Sequence, residues 1–320
     1  MPHRTAAVVR APFGAAPMPE VRSTSGAVAR GALMCGTAAV LWGTVGATQA
    51  ILPAGGASPY WLAVLRLFFA VAVFALLCAA QKLRSSQPLA LTRIGRAAPR
   101  AIAAGAAIAG FNLLYFEGVK ACGVGIGATA IIGSAPIWTG LLTALFFKKR
   151  PTAAWSIGVA AAVAGGGLML TGGSLELSVP LSGLAACLAA GLCYAAYTCI
   201  SKGLVADVPP LAATAMTFAA ALVFAAPAAW ALSGAPVLTT ADIAAGLWLG
   251  VVATGAAYLL FATGLTRISA GTGVALTLLE PVTAFVLSVA AAGEPFTAAK
   301  GIGLLCILLG LVFVLRAEKR

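Results

Sequence analysis

The chain has 320 residues, of which 61% are hydrophobic and only 9% are charged. Soluble domains carry about 25% charged residues, so this composition excludes an ordinary soluble protein and indicates that lipid is the solvent. The formal net charge of +12 would indicate a nucleic-acid partner in a soluble domain. Here the basic residues border apolar stretches, as in the cytoplasmic loops of a membrane protein, so we expect no nucleic acid as a partner.

The chain begins with a polar segment and continues with ten apolar stretches. Residues 1–29 are rich in Pro, Ala and Arg and lack the apolar core of a signal peptide, which predicts a disordered cytoplasmic tail. Each stretch has about 20 mostly apolar residues, enough to cross a bilayer as a helix. The predicted spans are residues 31–52, 60–80, 99–119, 124–147, 153–171, 181–201, 210–232, 243–264, 272–292 and 298–315. The sequence therefore predicts an all-α membrane protein with ten transmembrane helices.

Most basic residues lie on one side of the predicted transmembrane spans. Apart from Arg66, Lys120 and Lys300, every Lys and Arg lies in the tail, at the C-terminus or near every second connection between the predicted spans. Short basic loops stay in the cytoplasm, because positive charge hinders their translocation. This distribution predicts that both termini are cytoplasmic.

The two halves of the chain resemble each other. A shift of 145 residues places Pro136 on Pro281, Gly158 on Gly303 and Gly165 on Gly310, in corresponding spans. This repeat predicts a first five-helix unit over residues 30–171 and a second over residues 181–316. Because five is odd, the second unit must enter the membrane from the opposite side, which makes the pair an inverted repeat.

Glu280 is the deepest acidic residue. It lies about nine residues into its span, roughly 13 Å from the cytoplasmic face and close to the middle of a core about 30 Å thick. An acidic side chain at this depth is costly and marks a functional site by default, either as a gate or as a proton carrier. The alternative is a buried structural ion pair.

Two prolines predict breaks at matching places in the two halves. Pro281 follows Glu280 and should kink its helix by freeing the carbonyl group of Thr277. Pro136 should do the same in the fourth span. Paired helix breaks lie beside the binding sites of inverted-repeat transporters, so both prolines are predicted hinges.

A second deep charge and a set of polar and aromatic side chains predict a solute cavity. Arg66 lies roughly 10 Å from the outer face and could pair with Glu280, extend outward to the interface or attract a substrate carboxylate. Tyr and Trp combine an apolar face with a hydrogen-bonding tip, which suits amphipathic solutes, although helix packing and interfacial positions are alternatives. The predicted cavity residues are Trp42, Gln49, Arg66, Asn112, Tyr115, Trp138, Tyr194, Tyr197, Tyr258 and Glu280.

The sequence lacks the motifs of several functional classes. It has no GxxxxGK[ST] phosphate loop, no HExxH and no GxSxG, and its one histidine, His3, lies in the tail. The seven cysteines form no Cys-x-x-Cys pair. We therefore expect no enzyme activity, no catalytic residues, no cofactor and no metal.

Five features, in order along the chain, carry a resemblance to a known family. They are the Ala-Val-Leu-Trp-Gly run at residues 39–43, Arg66, the Asn112-Leu-Leu-Tyr-Phe run, Pro136 and the Leu-Leu-Glu280-Pro281 run followed by Gly293-Glu294-Pro295. Together they resemble the drug/metabolite transporter (DMT) superfamily, in particular its EamA-type exporters and their YddG-like branch of aromatic amino acid exporters. The chain departs from the family at Lys149, where an acidic residue is frequent.

The resemblance implies export of small metabolites, including amino acids. We therefore expect a multi-pass secondary transporter of a bacterial inner membrane that exports aromatic or other amphipathic amino acids by alternating access. Its partners would be a small-molecule substrate, membrane lipid and, as a separate hypothesis, protons at Glu280. A multidrug or organic cation exporter is the alternative, and a channel is a further one.

Overall fold

The computed structural model describes residues 25–51, 56–84, 91–122, 124–171, 179–292 and 297–318. Over these residues all regular structure is helical. The helices are α1 (Ser25–Ile51), α2 (Pro59–Arg84), α3 (Leu91–Cys122), α4 (Val124–Phe147), α5 (Ala153–Thr171), α6 (Leu181–Asp207), α7 (Pro210–Ser233), α8 (Thr240–Trp248), α9 (Ala257–Leu265), α10 (Ala270–Leu276), α11 (Leu279–Ala292) and α12 (Ala298–Glu318). A π-helix, Leu249–Ala256, joins α8 to α9.

Most of these helices have the length and apolarity of membrane spans. Nine helical segments of the described chain are long and apolar enough to cross a bilayer, and Ala153–Met169 of α5 is a shorter apolar helix. The α8, π and α9 helices together form one of the nine. Of the predicted tail, residues 1–24 lie outside the described residues, whereas residues 25–29 belong to α1. α1 and α3 begin before the predicted apolar spans because a helix can continue past the hydrocarbon region.

Large apolar side chains cover the outside of the bundle. Leu33, Leu76, Leu145 and Leu305 are each at least 60% exposed, and many other Leu, Ile, Val and Phe side chains share this position. The interior of the bundle contains many small residues, chiefly alanines. Helices that are apolar on all sides are typical of a membrane protein, whose outer surface faces lipid chains.

Glycines lie at the contact between α5 and α12. Gly158 lies against the carbonyl group of Gly310, and Gly310 lies against that of Gly158. About two turns further along α5, Gly165 lies against the carbonyl group of Gly303, and Gly303 lies against that of Gly165. Because no hydrophobic effect drives two helices together in lipid, close backbone packing between small residues is the main attraction available.

The two prolines have different effects on their helices. Beside Pro281 the helix is interrupted, since α10 ends at Leu276 and α11 begins at Leu279. The carbonyl group of Thr277 accepts a hydrogen bond from the backbone N–H of Glu280 at 2.9 Å, so a tighter turn replaces the bond that the proline removes. α4, in contrast, continues through Pro136 from Val124 to Phe147. A hinge role for either proline stays a prediction.

Candidate functional site

A cavity of about 540 Å³ lies among the helices. Its lining residues come from α1, α2, α3, α4, α6, α8, α9 and α11, together with the first residue of the π-helix and the α10–α11 turn. The volume falls in the range of about 300–1,000 Å³ that is usual for small-molecule sites. Helices of both halves of the chain therefore contribute to one site.

Most of the predicted cavity residues line this space. The lining residues among them are Trp42, Arg66, Asn112, Tyr115, Tyr194, Tyr258 and Glu280. Trp138 is half-buried and does not line the cavity, and Tyr197 lies one helical turn beyond Tyr194 and is fully buried. The side chain of Gln49 lies outside the described residues.

Two opposite charges face the cavity without pairing. The Nε atom of Arg66 donates a hydrogen bond to the hydroxyl group of Thr254 at 3.1 Å. The carboxylate of Glu280 has no hydrogen-bond partner within the described part of the chain, and no ion pair within 4.0 Å joins it to Arg66. An Arg66–Glu280 ion pair, which was one of the alternatives for Arg66, is therefore not formed between these two described residues in this conformation.

An aromatic wall with unused polar groups forms another side of the cavity. The ring of Trp42 lies 4.8 Å from that of Tyr258 and 6.3 Å from that of Tyr194, measured between centroids. Within the described chain, the buried indole N–H of Trp42 and the buried hydroxyl group of Tyr194 have no hydrogen-bond partner. Buried polar groups are nearly always paired, so these two atoms are exceptions, and both are enclosed by protein in this conformation.

One end of the bundle is closed beneath the aromatic wall. Tyr197, Phe218 and Phe261 are each at most 2% exposed, and the Phe218 ring lies 4.7 Å from that of Tyr258. Further along, the Lys202 ammonium group donates to the carbonyl oxygen of Leu265, which links the end of α6 to the end of α9. At the same end the Glu318 carboxylate accepts hydrogen bonds from Ser269 and Thr272 and so caps the start of α10.

The cavity extends toward the opposite end of the bundle. Its lining includes Ala57 and Pro59 at the start of α2, Val119 near the end of α3 and Ala245 in α8. All of these positions lie close to helix ends or connections on that side. Among the described residues the α6 end is therefore closed, and the cavity lies toward the start of α2.

Several lining residues were not predicted from the sequence. Phe111 lies 5.8 Å from the Tyr115 ring, centroid to centroid, and 5.3 Å from the Tyr194 ring. Its spacing of four residues from Tyr115 places both on one helix face, which was the available signal. Thr277 lines the cavity as well, and the rule that a proline frees the carbonyl four residues earlier points to it.

The described residues contain no cluster of three or more His, Cys, Asp or Glu side chains arranged to hold a metal ion. The cavity is lined by apolar, aromatic and hydroxyl-bearing side chains with one guanidinium, one carboxylate and the carboxamide of Asn112. This arrangement can bind an amphipathic organic molecule through polar contacts at its charged groups and apolar contacts elsewhere.

Comparisons with known proteins agree with this architecture. The EamA-like transporter family model matches residues 29–171 and 181–316. The uncharacterized transporter YwfM of Bacillus subtilis (strain 168) is 34% identical over 283 residues, which cover 88% of this chain and 93% of YwfM. The uncharacterized transporter YyaM of the same organism is 28% identical over 214 residues, or 64% of this chain and 68% of YyaM.

A solved crystal structure of another protein superimposes on the chain with a TM-score of 0.75 at 19% identity, covering 91% of this chain and 99% of that one. At this identity the likeness concerns the fold alone. The family match covers nearly the whole described bundle, and the relatives named above are transporters. The chain therefore belongs to the EamA-like transporter family of the drug/metabolite transporter superfamily.

Proposed function

We propose that this chain is a secondary transporter that exports neutral amino acids, aromatic or otherwise amphipathic, across a bacterial inner membrane by alternating access. The observation that carries this proposal is the pair of unpaired opposite charges, Arg66 and Glu280, on one cavity. The family membership supports transport itself, and the cavity supports the class of substrate.

An uncompensated charge inside a membrane protein costs several kcal/mol, so two opposite charges held apart need partners. A zwitterion supplies both at once: its carboxylate suits the Arg66 guanidinium and its ammonium group suits the Glu280 carboxylate. An anion or a cation would satisfy only one of the two. After a movement of the surrounding side chains, the buried polar atoms of Trp42 and Tyr194 would offer further hydrogen bonds to the same solute.

The walls of the cavity suit an apolar or aromatic side chain. The rings of Trp42, Phe111, Tyr115, Tyr194 and Tyr258 all line it, and aliphatic residues of α2 and α4 cover the remainder. Aromatic pairs contribute about 0.5–1.5 kcal/mol beyond the burial of their area. An aromatic amino acid therefore gains the most from this site.

We further propose ten membrane crossings in two inverted five-helix halves, with both termini in the cytoplasm. The packing between the halves supports this: α1 packs on α9 and α11, while α6 packs in the corresponding way on α3 and α4. The reciprocal glycine contacts between α5 and α12 agree with a two-fold relation. The apolar α5 provides the tenth crossing.

On this orientation the closed α6 end is cytoplasmic and the cavity faces outward. Alternating access requires a second conformation in which the α2 end closes and the bonds at Lys202 and Glu318 open. The turn between α10 and α11 beside Pro281, and Pro136 in α4, are the proposed hinges for that exchange.

An organic cation exporter is the second candidate. The observation that favours it is the Glu280 carboxylate beside the aromatic rings of Trp42 and Tyr258, since aromatic faces and a carboxylate together attract cations. Such a function gives Arg66 no role, and a guanidinium on the same cavity would repel the substrate. We therefore favour the zwitterion.

The test is counterflow in proteoliposomes that contain the purified protein. Liposomes loaded with unlabelled phenylalanine, phenethylamine or 3-phenylpropionate are diluted into labelled phenylalanine, so that the three solutes share a ring and differ in charge. We expect phenylalanine to drive accumulation at least tenfold faster than either of the others. Equal exchange by phenethylamine, retained when Arg66 is changed to Met, would instead establish the cation exporter.

A further inference from the structure

The π-helix Leu249–Ala256 interrupts an otherwise α-helical span at the depth of the cavity. Its first residue lines the cavity, and at its end the N–H of Ala257 bonds to the carbonyl oxygen of Val252, five residues back. A π turn takes up one additional residue, and such turns occur mostly within α-helices at functional sites. This segment packs against α2, the helix that carries Arg66.

Two corresponding glycine contacts, one on α3 and one on the π-helix, lie at this depth of the bundle. On α3, Gly105 lies against the carbonyl group of Thr217 in α7, and on the π-helix, Gly250 lies against the carbonyl group of Arg66 in α2. The two glycines are 145 residues apart, the same shift that relates the two prolines. Arg66 in α2 and Thr217 in α7 therefore occupy corresponding positions in the two halves. Arg66 lies against the π-helix, whereas Thr217 lies against the regular helix α3.

A second pair of contacts lies further along the same two spans. Gly118 lies against Cys187 of α6, and Gly264 lies against Cys35 of α1. These glycines are 146 residues apart, one more than the first pair. The α8–α9 span thus holds one residue more than α3 between matching contacts, and the π-helix lies where that residue is accommodated.

The additional residue in the π-helix changes which of its side chains contacts Arg66. Thr254 of the π-helix is 1% exposed, and its hydroxyl group accepts the hydrogen bond from the Nε atom of Arg66. Within the described chain the terminal nitrogens of that guanidinium have no hydrogen-bond partner. A planar guanidinium fixed at Nε presents its terminal N–H groups in one orientation, which is the arrangement that binds a carboxylate through two hydrogen bonds.

We propose that Thr254 is a positioning residue that holds Arg66 as the carboxylate-binding group of the cavity, and that the π-helix exists in the second half to place it there. This inference rests on the proposed function, because it needs a substrate with a carboxylate. It predicts that the hydroxyl group of Thr254 affects recognition of the carboxylate and not of the ammonium group or the ring.

The test uses the full chain in proteoliposomes and three variants. Thr254→Val keeps the shape and removes the hydroxyl group, and Thr254→Ser restores a hydroxyl group. Thr263→Val removes another helical threonine hydroxyl, which donates to the carbonyl group of Leu259 in its own helix. We expect Thr254→Val to raise the KM for phenylalanine about threefold to tenfold, the usual worth of one hydrogen bond, with Vmax unchanged. Thr254→Ser and Thr263→Val should keep the original KM.

Phenethylamine, which has the ring and the ammonium group but no carboxylate, is measured as an inhibitor of phenylalanine transport. We expect its inhibition constant to stay the same in Thr254→Val. An equal rise for phenethylamine and phenylalanine, or a KM for phenylalanine within twofold of the original, would overturn this inference alone. A wild-type protein that neither transports nor binds phenylalanine would overturn the proposed function and this inference with it.

Discussion

Replacing Glu280 by glutamine is expected to lower phenylalanine counterflow by about 10- to 150-fold. A hydrogen bond to a charged group is worth about 1.5–3 kcal/mol, and each 1.4 kcal/mol corresponds to a factor of ten. Glutamine has the size of glutamate and preserves the backbone bond from residue 280 to Thr277, so the turn beside Pro281 should remain. The measurement is the initial rate of counterflow at a fixed amount of reconstituted protein.

The matched control is Glu117→Gln. Glu117 is an exposed carboxylate on α3 that does not line the cavity, so its neutralisation should leave the rate unchanged. A Glu280→Gln variant that folds and transports at the original rate would show that this carboxylate does not bind the solute.

The same variant separates the proton hypothesis from solute binding. If Glu280 carries a proton during the cycle, the residual transport of Glu280→Gln should lose its dependence on pH, because glutamine does not titrate. A residual rate that still follows pH as the wild type does would assign any proton to another group. That result would leave the role of Glu280 in binding untouched.

The second large effect is expected at the α5–α12 contact. In Gly165→Ala the new Cβ atom would meet the carbonyl oxygen of Gly303 and the Cβ atom of Cys306, at 2.5 and 2.7 Å without relaxation. Backbone atoms cannot move aside as flexible side chains do, so the helices must separate. We expect a loss of about 1–3 kcal/mol of stability, measured as a lower thermal unfolding midpoint in detergent.

The adjacent glycine provides the control. Around Gly166 the nearest atom to an added Cβ is the side chain of Leu278 at 4.0 Å, which is an ordinary contact. Gly166→Ala should therefore be neutral or stabilise the helix by up to about 1 kcal/mol, since alanine favours helices over glycine. The same decrease in both variants would mean that the close contact of α5 with α12 does not hold the bundle together.

The positions of the helices were predictable because apolar length decides them. α4 and α5 coincide with their predicted spans, and the other helices extend a few residues past theirs. The interruption near Pro281 was also predictable, since the missing N–H acts locally. At Pro136 the helix assignment of α4 is continuous, so the predicted kink there stays a prediction.

The orientation of side chains around each helix was harder to predict. Tyr194 and Tyr197 are three residues apart on α6, and both are deep and aromatic, yet only Tyr194 lines the cavity. On α4 the lining residues are Ile131, Ile132 and Ala135, whereas Trp138 does not line the cavity. The rotation of a helix depends on its packing partners, and a helix that is apolar all round gives no sign of which face is internal.

The π-helix left no signal that a single sequence reveals. The residues from Leu249 to Ala256 have the same small and apolar character as those of the regular helices. Only the comparison of matching glycine contacts in the two halves shows the added residue. Thr254 was consequently absent from the predicted site, although it bonds to one of the two charged residues that were predicted.

If the cavity between the two halves holds the solute, a thiol group on its wall should be protected while the solute is bound. Ala135 lines the cavity and is 2% exposed, so Ala135→Cys places a thiol group on its wall with little change in volume. A membrane-impermeant thiol reagent is added to cells from outside, and its rate of reaction is compared with that of the parent chain. We predict reaction at residue 135 and protection by phenylalanine, with phenethylamine protecting only at higher concentration. A thiol group that reacts at the same rate with and without phenylalanine, while transport of phenylalanine continues, would contradict the account.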